Sequence, residues 1–182
     1  MKNAGFALVE TMVTIVVVAF GLLGLAGLVS RSFVAEVEAT QRTQALMLLH
    51  DMATRIEANR RDVADYVTGD AAIGYTSGQQ DCALAATVPE RDRCEWSNQL
   101  VGVSEQIDAR NAGVLPRAVG CVHEIDAFNR IYAITIAWQG VNEGVAPSAD
   151  PNFAPASCGR DLYGTETFRR LMTVPVRLAT LT

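Results

Sequence analysis

The chain has 182 residues, 49% hydrophobic and 19% charged, enough for one domain with a modest core and too apolar for a disordered tail. Fifteen Lys and Arg against twenty Asp and Glu give a net charge of −5 and a pI near 5.0. That balance argues against nucleic-acid binding, which needs a basic patch to displace counterions from phosphate. Two histidines and four scattered cysteines leave little material for a metal site.

From Thr11 to Ser30 the chain reads TMVTIVVVAFGLLGLAGLVS, without a charge. As an α-helix this run spans about 30 Å, the thickness of a bilayer's hydrocarbon core. Its eleven Val, Ile, Leu and Phe residues favour insertion by about 3 to 7 kcal/mol in total. That sum carries the single carboxylate beside the run, Glu10. A cleaved secretory signal normally has a shorter apolar core and a small-residue cleavage site after it. A plain signal anchor is the simpler alternative, but a carboxylate at the membrane end of a helix is expensive and points to a specific partner.

The residues beyond Arg31 extend the helix. No proline occurs before Pro89, and Val34, Val37, Ala45, Leu48, Leu49, Met52 and Ile56 fall at three- and four-residue steps, interrupted once by Gln41. A stripe of this kind is a packing face. The helix is expected from Phe6 to about Asn59, roughly 80 Å. Gly21, Gly24 and Gly27 recur at every third residue, which is not the four-step dimer motif. They mark a place where the helix is weakened.

Residues 66–87 read as a loop. A second helix is expected from about Pro89 to Arg110, with Trp96, Leu100, Val103 and Ile107 on one face and Asn111-Ala112-Gly113 as its stop. Ala118–Glu124 and Arg130–Trp138 flank the turn-like Asp126-Ala127-Phe128-Asn129 and predict a hairpin. Apolar residues on both faces of the second strand place it centrally. A polar loop runs from Gly140 to Gly164. The last strand is expected over Thr167–Leu178, where Pro175 favours a sheet edge. The fold class is α+β: a long N-terminal helix, transmembrane in its first half, packed on a small antiparallel sheet.

The N-terminal junction, Lys2 then Gly5-Phe6-Ala7-Leu8-Val9-Glu10-Thr11, resembles the type IV prepilin signature. The resemblance implies that a prepilin peptidase cuts between Gly5 and Phe6, that Phe6 is then N-methylated, and that Glu10 serves subunit assembly. Ala7 stands where the commonest family sequence has threonine. GLLGLAGL, DMATRIEANR, ITIAWQG and a late CG…YG are similar to PilV-type minor pilins. The implied organisation is a leader over 1–5, a membrane and filament-core helix over 6–30, and a head over 31–182. The implied partners are the prepilin peptidase, other minor pilins, the major pilin and the inner-membrane pilus assembly platform. The expected location is the bacterial inner membrane with a periplasmic head, then the pilus. A role in pilus assembly supporting twitching motility and adhesion follows. A type II secretion pseudopilin and an adhesive subunit, contacting through the 140–164 loop, are the alternatives.

Export to an oxidising space makes disulfides the expectation for Cys82, Cys94, Cys121 and Cys158, which lack zinc-ligand spacing. Four cysteines allow three connectivities. Nearest-neighbour pairing, Cys82–Cys94 and Cys121–Cys158, closes loops that stabilise by about 3–4 kcal/mol each. No enzyme is expected: His123 and Glu124 point to opposite faces of a strand, and GxSxG, HExxH and phosphate-binding glycine loops are missing from the sequence. No cofactor is implied.

Overall fold

The computed structural model describes residues 4–102, 106–107, 110–111, 115–148 and 156–179, with side chains described from Leu8 onward and not for the short strands at 106–107 and 110–111. Helix α1 runs without interruption over Ala4–Ala58, through Gly21, Gly24 and Gly27. Contacts divide the chain into two compact units, Met1–Ala39 and Thr40–Thr182.

In the first unit the helix is apolar on every side. From Leu8 to Phe33 each large hydrophobic side chain is between 51% and 69% exposed. Among the described residues α1 is the one helix long and apolar enough to cross a membrane. Small glycines leave open space beside them: a methyl added at Gly21, Gly24 or Gly27 would touch nothing.

In the second unit the same helix turns amphipathic. Ala45, Leu49, Met52 and Ile56 are buried at three- and four-residue steps, while Leu46 and Met47 stay exposed. Gln41, the polar interruption in the stripe, is also buried, and its Oε1 accepts from Trp138 Nε1 at 3.2 Å. A 3₁₀ segment, Arg60–Tyr66, follows and sends Val63 and Tyr66 into the core.

Four strands form an antiparallel sheet in the order β1-β4-β5-β6: β1 Ile73–Gly74, β4 Val119–Asp126, β5 Ile131–Gln139 and β6 Arg169–Arg177. Two further short strands, β2 Gln106–Ile107 and β3 Arg110–Asn111, pair with each other alone. The β4–β5 hairpin turns at Asp126–Asn129, where Asp126 accepts from the Asn129 backbone N–H at 2.9 Å, and it carries a bulge between Glu124 and Asp126. Tyr132 to Trp138 are all buried, as a strand covered on both faces requires. One face carries Tyr132, Ile134, Ile136 and Trp138 into the main core with α1 and α2; the other sets Ala137 against Cys121, Cys158 and Tyr163.

Strand β6 is an edge. Gly140 N–H donates to Phe168 O and Leu178 N–H to Arg130 O, which fixes the even-numbered residues of β6 as the hydrogen-bonded partners of β5. Pro175, an odd-numbered residue opposite Ala133, therefore turns its N–H-less nitrogen toward the open side.

The second helix is shorter than its sequence pattern predicts. Helix α2 spans Val88–Val101, not Pro89–Arg110. Thr87 and Glu90 form a capping box at its start, with Pro89 in the first turn. Gly102 ends it at φ +78°, a left-handed conformation that glycine adopts at no steric cost, and Asn98 O and Gln99 O accept its N–H. Ile107 and Arg110, expected on the helix, lie instead in β2 and β3; Val103 and the expected stop at Ala112-Gly113 lie outside the described residues. The apolar periodicity continued past a glycine that had already closed the helix.

Helix α2 is held by one large side chain. Trp96 is fully buried, and its Nε1 donates to Leu48 O on α1 at 2.9 Å. Its ring lies over β4 at Gly120, where a Cβ would come within 2.1 Å of the indole. Only glycine permits this approach.

Candidate assembly helix and cross-linked head

The sequence-predicted site residues fall into two sets, Gly5, Phe6 and Glu10 in the first unit and the four cysteines in the second. Gly5 and Phe6 lie in the first turns of α1, where side chains are outside the described residues, as is all of Met1–Asn3. Glu10 is exposed on the same helix, among exposed apolar neighbours. Thr11 and Thr14, the polar residues after it, turn their hydroxyls back onto the helix: Thr11 Oγ1 donates to Leu8 O at 3.3 Å and Thr14 Oγ1 to Thr11 O at 2.8 Å. Backbone acceptors thus satisfy the hydroxyls, and the carboxylate of Glu10 is left as the charged feature of this stretch.

The four cysteines form two disulfides. Cys82–Cys94 joins the loop before α2 to the helix itself, with Cα atoms 5.6 Å apart. Cys121–Cys158 joins β4 to the C-terminal loop, with Cα atoms 5.9 Å apart. The second bond is fully buried against Val119, Ala137 and Tyr163; the first is half-exposed. Both are pairings of nearest neighbours in sequence, and no cysteine among them is free.

Arg169 secures the loop that Cys121–Cys158 anchors. Its guanidinium is 2% exposed and donates to Ala156 O at 2.7 Å, to Cys158 O at 3.0 Å and to the Glu166 carboxylate. A buried cation needs this full set of acceptors. The sequence shows Arg169 merely as a strand residue; two of its three acceptors are backbone carbonyls, which leave no trace in residue type.

A second charged cluster ties α2 to α1. Arg55 donates to Asp51 at 2.9 Å, Asp92 at 3.0 Å and Glu95 at 2.7 Å, and the Tyr66 hydroxyl makes a short hydrogen bond to Asp92. Burial pulls the Arg55 pKa down, but the three carboxylates more than reverse that and hold it charged. Burial raises the Tyr66 hydroxyl to about 12, helped by Asp92.

His123 finds its carboxylate far away in sequence. Its Nε2 lies 3.0 Å from Asp70 Oδ1, and the Ser157 hydroxyl donates to the same oxygen. These hydrogen bonds, Ser157 first and His123 second, hold the Asp70 carboxyl below its usual range. Serine and histidine both bond the carboxylate rather than each other, so the trio lacks the hydroxyl–imidazole contact of a Ser-His-Asp triad. It fastens the segment at Asp70 to the loop at Ser157. Among the described residues no group of three or more His, Cys, Asp and Glu is placed to hold a metal ion.

Residues 27–100 match the family model described as Tt1218-like, Type IV pilin Tt1218. No curated protein and no solved structure matches the chain. The matched stretch includes the end of the apolar run, the amphipathic part of α1, Cys82–Cys94 and almost all of α2. The match spans less than half of the chain; it supports a type IV pilin family, and the long apolar N-terminal helix followed by a four-stranded antiparallel sheet is an α+β arrangement consistent with a pilin fold.

Proposed function

We propose that the chain is a structural minor pilin of the PilV type, which takes part in priming type IV pilus assembly and enters the fibre. In this reading it sits in the bacterial inner membrane with its head in the periplasm, is cut by the prepilin peptidase between Gly5 and Phe6, and is methylated at Phe6. Its leader is 1–5, its membrane and filament-core segment 6–30, and its head 31–182. Other minor pilins, the major pilin and the assembly platform are its partners, and it does no catalysis. Twitching motility and adhesion depend on the fibre it helps to build.

The observation that carries the reading is the exposed apolar stretch of α1, Leu8 to Phe33, headed by the exposed carboxylate of Glu10. Such a surface needs lipid or other helices around it. In an apolar helix bundle a carboxylate is costly unless paired, and the amine of a processed Phe6 on a neighbouring subunit supplies the charge. Glu10→Ala is expected to insert and to be cleaved normally, yet to co-purify poorly with other minor pilins and to be depleted from sheared pili. Normal levels in both fractions would refute the inter-subunit pairing. Terminal mass spectrometry tests processing: a mature chain starting at Met1, or after Ser30, sinks the prepilin reading. Co-purification with secretion-system pseudopilins in place of pilins would move the protein to a type II secretion system.

A further inference from the structure

The two disulfides differ in what can reach them. Cys121 and Cys158 are 0% exposed and pack in a cluster with Val119, Ala137 and Tyr163. Cys82 and Cys94 are both partly exposed, the first in the 3₁₀ turn Cys82–Leu84 and the second on α2. Thiol–disulfide exchange begins with a thiolate attacking a sulfur, so access alone separates the two bonds.

Asn98 distinguishes the two sulfurs of the exposed bond. Its Oδ1 accepts from the Gln80 N–H and its Nδ2 donates to Gln80 O, each at 2.9 Å. Nδ2 also donates to Cys82 Sγ at 3.3 Å. A hydrogen bond donated to sulfur favours its thiolate, and the sulfur that bears charge more easily leaves faster. Cys82 is thereby the better leaving group, and attack falls on Cys94.

The structure on either side of the bond does not depend on it. Helix α2 is docked through Trp96 Nε1 on Leu48 O at 2.9 Å and through Arg55 on Asp92 and Glu95. The loop before it is held by the Gln80–Asn98 pair, by Asp81, which accepts from the Ala83 N–H at 3.0 Å, and by Glu90. Glu90 Oε2 accepts from the Ala86 and Thr87 N–H groups at 2.9 Å and 3.1 Å. With the bond open, both ends stay placed, and proximity favours closing it again.

We propose that Cys82–Cys94 is a reversible redox centre in the head, opened at Cys94 by a dithiol while Cys121–Cys158 stays closed. One thiolate of the dithiol attacks Cys94 Sγ, forming a mixed disulfide and releasing Cys82 as a thiolate beside Asn98. The second thiolate then attacks the dithiol's own sulfur in that mixed disulfide and releases Cys94. The dithiol is oxidised by two electrons to its disulfide, and the two protons it gives up end on Cys82 and Cys94. The inference stands apart from the assembly role of α1, since it rests on the head alone.

The test uses the full chain in detergent micelles, with dithiothreitol as the dithiol and N-ethylmaleimide to cap freed thiols. Peptide mass mapping then follows all four cysteines. Cys82 and Cys94 are expected to be capped together, at least about tenfold faster than Cys121 and Cys158, with the emission of the buried Trp96 and Trp138 unchanged. Oxidised dithiothreitol, added before the cap, should restore the bond. Excess glutathione, with one thiol, stops the reaction at the mixed disulfide. Its adduct is expected on Cys94, with the cap on Cys82, in a ratio of about ten to one. Asn98→Ala should bring that ratio toward one. Capping of all four cysteines at one rate would overturn the proposal. Capping of Cys82 and Cys94 only alongside loss of the tryptophan emission would do the same, as would a bond that does not re-form. An adduct mainly on Cys82, or a ratio unchanged in Asn98→Ala, would overturn the attack at Cys94.

Discussion

Two stretches of one helix are built on opposite plans. Between Leu8 and Phe33, α1 is apolar all round and every large side chain stands in the open. Between Thr40 and Ala58 it buries one face, Ala45, Leu49, Met52, Ala53 and Ile56, with Leu48 packed at its side, and leaves Leu46 and Met47 exposed. The backbone is the same α-helix throughout. What differs is the solvent each stretch requires: the first carries its apolar surface into whatever surrounds the protein, and the second spends it on the chain's own core. Secondary structure alone does not reveal this division. The angular spread of apolar residues does.

Truncations at matched positions test that contrast most sharply. Ile56→Ala is expected to lower the stability of the head by about 2–5 kcal/mol, as burial without room to collapse predicts. Denaturant unfolding in micelles followed by tryptophan fluorescence measures it, since both Trp96 and Trp138 are buried in that core. A loss under about 1 kcal/mol would mean that the stripe is not a core face.

Replacing both Cys121 and Cys158 with alanine probes whether the cross-link, rather than the helix, sustains the C-terminal half of the head. The expected loss is about 3–4 kcal/mol, with limited proteolysis cutting first near Ser157. The Cys82–Cys94 pair closes a shorter loop at the surface, and its removal should cost less. Equal losses would contradict both the loop-length scaling and any added gain from burial around Cys121–Cys158.

Alkaline titration gives a smaller effect on the same core. Tyr66 ionises near 10 when unfolded and at about 12 in the fold, because burial and Asp92 disfavour its phenolate. The folded state then holds more protons between these values, so the stabilisation is whole below pH 10 and is lost as pH rises through 12. Tyr66→Phe should flatten that decline. Phenolate absorbance against pH, with and without the substitution, reads it directly.

The smallest change belongs to the first stretch. Leu23→Ala alters a side chain that is 69% exposed and should move head stability by under about 0.5 kcal/mol. Its effect is expected in membrane partitioning alone. A drop in the head's unfolding midpoint would join the two stretches energetically and undo the contrast.

Features carried by local periodicity were legible in the sequence: α1, its packing stripe, the β4–β5 hairpin and the central place of β5. Pro175 marked an edge strand because a missing N–H is a property of one residue. Long-range pairings were not legible. Gln41 looked like a flaw in the stripe, and its partner Trp138 comes from another strand far along the chain. His123 was read against its neighbour Glu124, whereas the fold supplies Asp70. Strand β1 is two residues long, too short for any alternation to show. Helix α2 was overextended because Val103 and Ile107 continue its apolar face, and a face says nothing of where a left-handed glycine closes the backbone.

The nitrogen of Pro175 has a consequence for how this head behaves in crowded company. A sheet that ends on an open strand is a template, and any extended chain can lengthen it by adding its own backbone. Here the template is defective. The outward ladder of β6 loses a rung at Pro175, and near its other end Gly144 N–H already occupies Thr167 O at 2.8 Å. Only a short run around Leu171 and Thr173 remains to be copied. Neighbouring heads held at high local concentration therefore have little backbone to fuse through, and side-by-side packing stays reversible instead of running on into a continuous sheet.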